Sequence, residues 1–419
     1  MALNVYYSVC PFGTADIKNG SPTITITTGV ATLSVAQTGN IGVGCRITYD
    51  TDVVCYISVV NSSSSFDVVT ALGAAPDNTA GAKTIVSIAH EYASLSAAEA
   101  GATDANHVNN ASLVTADVIL NIPCYYDHDS NASDTTPVVA AGITTGVSNP
   151  INIYTPQGGT ESINTQKHES IFDATPPDCY RHEVSGSTNL QTYITYLNVY
   201  GLWFIGTLRI LYTYTCNGGV INFHHNLCTS SMASNNGLIR LYENYGDAFT
   251  VNIYNNIIKA TSAGAFGFWS NSANVTAYVY NNTAITIHYG FYRSSGSVKL
   301  INNISYGSVQ NAFYGTWASG SDYNATDRNS VGGTFPDASH NLVSQDFDFD
   351  DSANGDYSIG VDSDVLGDGA DLDEDANIAI TDDIIGTARH ASAPDIGAFE
   401  YIDVGGEAAD NALFFGMNF

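Results

Sequence analysis

Ile221-Asn222-Phe223-His224-His225-Asn226-Leu227, Val251-Asn252-Ile253-Tyr254-Asn255-Asn256-Ile257, Ala277-Tyr278-Val279-Tyr280-Asn281-Asn282-Thr283 and Val298-Lys299-Leu300-Ile301-Asn302-Asn303-Ile304 align without gaps. Their shared residues, Asn226, Asn256, Asn282 and Asn303, stand 30, 26 and 21 positions apart. In each segment the residues five and three before the shared Asn are apolar, so they face inward while the alternate positions face out. Asn suits the turn that follows, because it tolerates left-handed backbone geometry and its amide can bond to the Asn stacked about 4.8 Å above or below. Internal repetition at this period is the mark of a solenoid. The expected fold is therefore all-β, a parallel β-solenoid carrying an asparagine ladder. Weaker echoes at Asn198, Asn324 and Asn341 extend the ladder in both directions. The rival is a β-sandwich with Asn-rich turns, which the common register of the four segments disfavours.

Outward from these coils, the chain divides into four stretches. Short strands separated by polar turns run over residues 115–401, and a tail follows at 402–419. Residues 89–114 are a capping helix and linker: 94–110 holds an Ala-rich helix opened by a Ser96-x-x-Glu99 capping box, placed to cover the exposed end of the first coil. Residues 1–88 form a small β domain, with alternation at Thr23–Thr27 and a hairpin turning at Asp50-Thr51-Asp52, and are a natural attachment unit. Cys45 and Cys55 flank that hairpin and could pair across it. Seven cysteines without CxxC spacing read instead as free, half-buried thiols.

Charge is unevenly spread through a net −29. Residues 1–183 carry 17 acids against 5 bases, 184–321 carry 2 against 5, and 322–419 carry 22 against 2. Such a surface repels nucleic acid and attracts divalent cations, and it also serves solubility. The start lacks a basic, apolar leader and no 18-residue apolar run occurs, so neither a signal peptide nor a membrane span is expected.

The end of the chain carries a family resemblance. Asp356-Tyr357-Ser358-Ile359, Asp364-Val365-Leu366-Gly367-Asp368-Gly369 and above all Pro394-Asp395-Ile396-Gly397-Ala398-Phe399-Glu400-Tyr401 resemble the closing segment of the choice-of-anchor-Q group. With the coils they make residues 115–401 similar to right-handed parallel β-helix repeat proteins of the pectate-lyase-like superfamily. The front portion, including Lys167-His168 to Tyr180-Arg181, is similar to β-helix proteins of tailed-phage and environmental viral origin. One departure is that the chain stops after Leu413-Phe414-Phe415-Gly416-Met417-Asn418, with no surface-sorting signal.

A sugar-cleaving site on such a fold needs clustered carboxylates. Between 184 and 321 the acids are Glu243 and Asp247, in one loop with Arg240 just before them, a weak catalytic candidate that reads equally as a solvated turn. No residue matches the lyase or polygalacturonase motifs, and no cofactor is required. Tyr254 and Tyr280 share an outward position on successive coils, and Trp203, Trp269 and Trp317 lie in the same region, so these rings are candidates for glycan or subunit contact. Asp371, Asp373, Asp375 and Asp382 partly follow a calcium-loop spacing, with Ala376 where Gly is wanted, and could hold a structural Ca²⁺.

Taken together, these readings lead to a non-enzymatic structural or adhesive β-helix, a virion component such as a spike, fibre or capsid decoration. It would attach to other assembly proteins through its N-terminal domain, oligomerise (a homotrimer is the guess) and bind surface polysaccharide, with no nucleic acid partner. The alternative is a secreted polysaccharide lyase or hydrolase, or a cell-surface adhesin, whose leader has been removed.

Overall fold

The computed structural model describes residues 2–402 except 12, 127–131, 173–178, 215, 217, 234, 244–245, 263 and 286–287; the tail beyond 402 and part of the 167–181 stretch lie outside the described residues. The chain is nearly all-β, 40% strand and 3% helix. Three parallel sheets, of eight, seven and seven strands among the described residues, are visited in rotation. One turn runs from Phe249–Tyr254 in the first sheet to Ile257–Ala260 in the second and Ala265–Ser270 in the third, then returns to Val275–Tyr280 beside its starting strand.

Register explains why the repeated segments stack. Ile221, Val251, Ala277 and Val298 are in line across the first sheet, as are Phe223, Ile253, Val279 and Leu300 two residues on. All eight are fully buried and share one apolar core with Phe204, Phe268 and Phe291 from the other two sheets. A slip of one residue would turn this row to solvent, so the alternation itself holds the register.

Successive coils from Val220–His224 onward turn their corner on a residue in the left-handed region: His225, Asn255, Asn281, Asn302 and Tyr323 have φ between 53° and 59°. These are the residues immediately before the repeated Asn. The expectation that the ladder Asn itself takes the left-handed turn is corrected: the first residue of the pair bends the backbone, and the second bonds along the stack.

The N-terminal region divides differently from the expected 1–88 unit. Leu3–Tyr6 pairs in parallel with Val118–Pro123 as the outermost strand of the first sheet. The six strands between Thr23 and Ala89 close into an antiparallel barrel with its own apolar core. Asp50, at φ 59°, turns the hairpin between Arg46–Tyr49 and the strand beginning at Val53. All seven cysteines are buried rather than half-buried, and Cys45 and Cys55 do not pair with each other: Cys45 lies opposite Ile57 and Cys55 opposite Ile47, both in the barrel core.

The helix is shorter than its composition suggests, spanning Leu95–Gly101, and its cap is Ser94, whose hydroxyl accepts the Ala97 N–H. Ser96 lies inside the helix, and Glu99 reaches across to accept the Ala141 N–H at 3.0 Å beside the first strand of the third sheet. No capping box forms, because Glu99 has a better-placed partner in the first coil. Leu95 and Ala98 join the solenoid core.

Residues 347–401 fold back along the coils. Phe347, Tyr357, Val365, Ile384, Ile396 and Phe399 cover the outer row of the second sheet, where Trp203, Leu227, Ile257 and Ile304 are buried. Along this row the second sheet is buried on both faces, as parallel sheets usually are when something covers them.

Candidate functional site

Two asparagine ladders run along the coils. In the inner one Asn226 Nδ2 donates to Asn256 Oδ1, Asn256 to Asn282, Asn282 to Asn303, Asn303 to Asn324 and Asn324 to Asn341, at 2.9–3.2 Å. Each acceptor oxygen also takes the backbone N–H of the Asn one coil earlier. Asn198 does not belong here: Leu202 is the residue in register before Asn226, and its N–H ends the ladder on Asn226 Oδ1. Asn198 sits in a second, half-buried ladder on the first sheet, where Asn252, Asn222, Asn198, Asn152 and Asn121 each donate to the one before.

The left-handed column beside the inner ladder is the socket for the acidic C-terminal segment. His225 Nε2 lies 3.3 Å from Asp382 Oδ1. Asn255 donates to the Asp382 carbonyl and accepts from Arg389 Nη2, and Asn302 exchanges two 2.8 Å bonds with the backbone of Ala370. Arg389 is the keystone of this contact: it is almost wholly buried, pairs with Glu400 at 3.3 Å, and donates to the carbonyls of Asp382, Asp395, Phe399 and Gly397. Burial pushes the neighbouring Asp395 carboxyl up to about 6. Burial would also raise Asp382, but its bond to His225 and nearby cationic charge outweigh this and leave it below the ordinary carboxylate range.

Between Asn255 and Asn302 the column has a rung of another kind. Asn281 is fully buried, yet neither its amide nitrogen nor its oxygen has a hydrogen-bond partner. It lines a cavity of about 90 Å³ under the C-terminal segment, walled also by Asp371, Asp373, Ile380, Thr381 and Arg389.

The sequence-predicted residues separate into distinct settings. Tyr254 and Tyr280 are in register as expected, in a column where Tyr154, Tyr200, His224 and Tyr254 stack face to face at 4.4–5.2 Å. Tyr280, however, is fully buried with Leu372, Ile378 and Ile380 of the acidic segment packed on it, and Tyr254 is partly covered by the same cluster. Trp203 and Trp317 are buried as well, the former under the C-terminal segment and the latter in the solenoid core, so neither is a surface contact. Trp269 alone of the three is part-exposed.

Trp269 lies on a face the sequence did not single out. On the third sheet Tyr212, Arg240, Trp269, Tyr292 and Tyr314 form one outward row. The Arg240 guanidinium sits 4.5 Å over Trp269 and 5.3–5.4 Å from the rings of Tyr242 and Tyr212, and Tyr292 stacks on Tyr314 at 4.9 Å. Arg209 caps Tyr212. The signal that could have revealed it was an aromatic or Arg following an apolar residue in five of the seven third-sheet strands, at Leu211-Tyr212, Ile239-Arg240, Phe268-Trp269, Phe291-Tyr292 and Phe313-Tyr314.

This places the weak catalytic trio in separate roles. Arg240 is committed to aromatic rings, and Glu243 is buried with its carboxylate accepting the Cys216 N–H at 3.0 Å. Asp247 is exposed. The calcium-loop reading fares similarly, since Asp375 faces Lys299 and Asp382 faces His225 while Asp371 and Asp373 are at the cavity wall. Among the described residues no group of three or more His, Cys, Asp or Glu is arranged to hold a metal. No described helix is long and apolar enough to cross a membrane.

No family model, curated protein or solved structure matches this chain.

Proposed function

We propose that this protein is a non-enzymatic structural β-helix, right-handed, that serves in a virion or similar extracellular assembly as a spike, fibre or decoration. The observation that carries the reading is the way the coils spend their polar and aromatic side chains on one another. The inner ladder is fully buried from Asn226 to Asn324, the tyrosine column is stacked internally, and the C-terminal segment is bonded over the second sheet and the left-handed column. Such a stack resists bending and fraying, which suits a rod that must project and hold its shape. Right-handedness rests on the general preference of parallel β crossovers for that hand. The barrel at Thr23–Ala89 is the attachment unit in this reading, and the open third-sheet face around Trp269 and Tyr314 is the surface for adhesion to glycan.

Electron microscopy of the native source material, with antibody against the barrel, tests it. A regular position on a particle supports the proposal; recovery only as free protein ends it.

A further inference from the structure

We infer that the cavity beneath the C-terminal segment is a calcium site formed by Asn281, Asp371 and Asp373. The inference is independent of the assembly role proposed above.

Asn281 stands in a column where His225, Asn255 and Asn302 each bond the C-terminal segment directly. His225 meets Asp382, Asn255 meets Asp382 and Arg389, and Asn302 meets Ala370. At Asn281 there is a cavity instead, and the buried amide has both its donor and its acceptor unpaired. Leaving a buried polar group unpaired is costly, and native proteins pair such groups with protein, water or an ion. Asn281 is thus a buried polar side chain facing a space, with two carboxylates at the same wall.

The space and its walls select the ligand. At about 90 Å³ it has room for roughly three waters and is far below the several hundred Å³ of an organic-ligand pocket. Asp371 and Asp373 lie within each other's field at its mouth, and Asp371 Oδ1 also accepts the Asp373 N–H, which fixes the turn between them. Two adjacent carboxylates and a neutral amide oxygen are hard oxygen donors, the set that Ca²⁺ takes in irregular geometry with water filling the remaining positions. Arg389 shares the wall, but Glu400 and four backbone carbonyls already occupy its guanidinium, so it does not cancel the carboxylate field. A cation there would complete the unbonded rung between Asn255 and Asn302 and tie residues 370–382 to the coils.

The arrangement differs from the calcium-loop pattern in the sequence. Asp375 and Asp382 are turned to Lys299 and His225, and the third protein ligand comes from a coil some ninety residues earlier.

The test is calorimetric titration of the full chain with CaCl₂ after chelator treatment, at physiological ionic strength, alongside thermal unfolding. The expected result is one saturable site per chain and a rise in Tm with Ca²⁺. Asp371→Asn and Asp373→Asn should each weaken binding about tenfold or more, and Asn281→Gly, which keeps the left-handed turn, should do the same. Asn281→Asp should tighten it. Asp375→Asn and Asp382→Asn should leave the affinity within about twofold. A Tm and heat indifferent to Ca²⁺, full affinity in Asn281→Gly, or loss in Asp375→Asn equal to that in Asp371→Asn would each overturn the assignment.

Discussion

Replacing Asn282 by Ala should damage the fold far more than the same change at Asn198, although both residues belong to asparagine ladders. The Asn282 side chain donates to Asn303 Oδ1 and to the carbonyls of Ile253 and Tyr280, and accepts both the backbone and the side-chain N–H of Asn256. Asn256 Nδ2 keeps two other acceptors, Phe223 and Tyr254, but its backbone N–H is left buried and unpaired. That orphan costs roughly 1–3 kcal/mol, and the lost bonds add about 1 kcal/mol or more. The total is on the order of 2–4 kcal/mol. Asn198 exchanges one bond with Asn152 and one with Asn222 on a half-buried surface where water can replace both, so its loss should cost about 1 kcal/mol. Guanidinium unfolding followed by circular dichroism measures the difference. Hydrogen exchange locates it, since the Asn256 amide should lose protection in Asn282→Ala. Equal destabilisation by the two variants, or an Asn256 amide still protected, would refute the argument that burial of the accepting oxygen is what gives the inner ladder its strength.

Three further outcomes follow from buried titratable groups. Burial holds His90 and His168 down to about 3, so each is neutral in the fold and protonates readily only when unfolded. Their contribution is present above about pH 6.5 and is lost as pH falls toward 3, at about 1.4 kcal/mol per pH unit for each histidine. His107 has the opposite sign. Burial lowers it, but Glu91 and Asp104 on either side outweigh burial and raise it, so its contribution is present below about pH 6.5 and fades as pH rises through its folded value. Unfolding of His107→Gln across pH 5–9 should therefore show its deficit at the acid end; a deficit that grows with pH would contradict the clamp. Arg389→Met leaves Glu400 buried without its partner and should cost about 3–5 kcal/mol, opening the C-terminal segment to limited proteolysis while the coils stay folded. Resistance equal to the parent chain would show that the apolar contacts alone hold the segment.

The coils were legible because strand alternation and a repeated corner residue are local signals that survive in one dimension. Ile221, Val251, Ala277 and Val298 face inward for reasons visible in the heptapeptides themselves. The corner was half legible: Asn-Asn pairs marked its place, but which member bends the backbone depends on which one the next coil accepts as a ladder partner. Asn198 shows the limit of the same reasoning, since it shares composition with the ladder yet falls on another face once the register of Leu202 against Asn226 is known.

What the sequence by itself determined was the parallel coil, its inward rows and its ladder of Asn226, Asn256, Asn282 and Asn303. Only the tertiary structure decided what remains open to solvent. Tyr280, read as outward-facing, and Trp203, read as a candidate contact, both lie under the C-terminal segment. Arg389, one of only 2 bases in the acidic final quarter, is buried at the centre of that contact for the same reason. Strand period dictates the direction a side chain takes; whether anything covers it depends on chain that is about ninety residues or more away, and no local pattern records that approach.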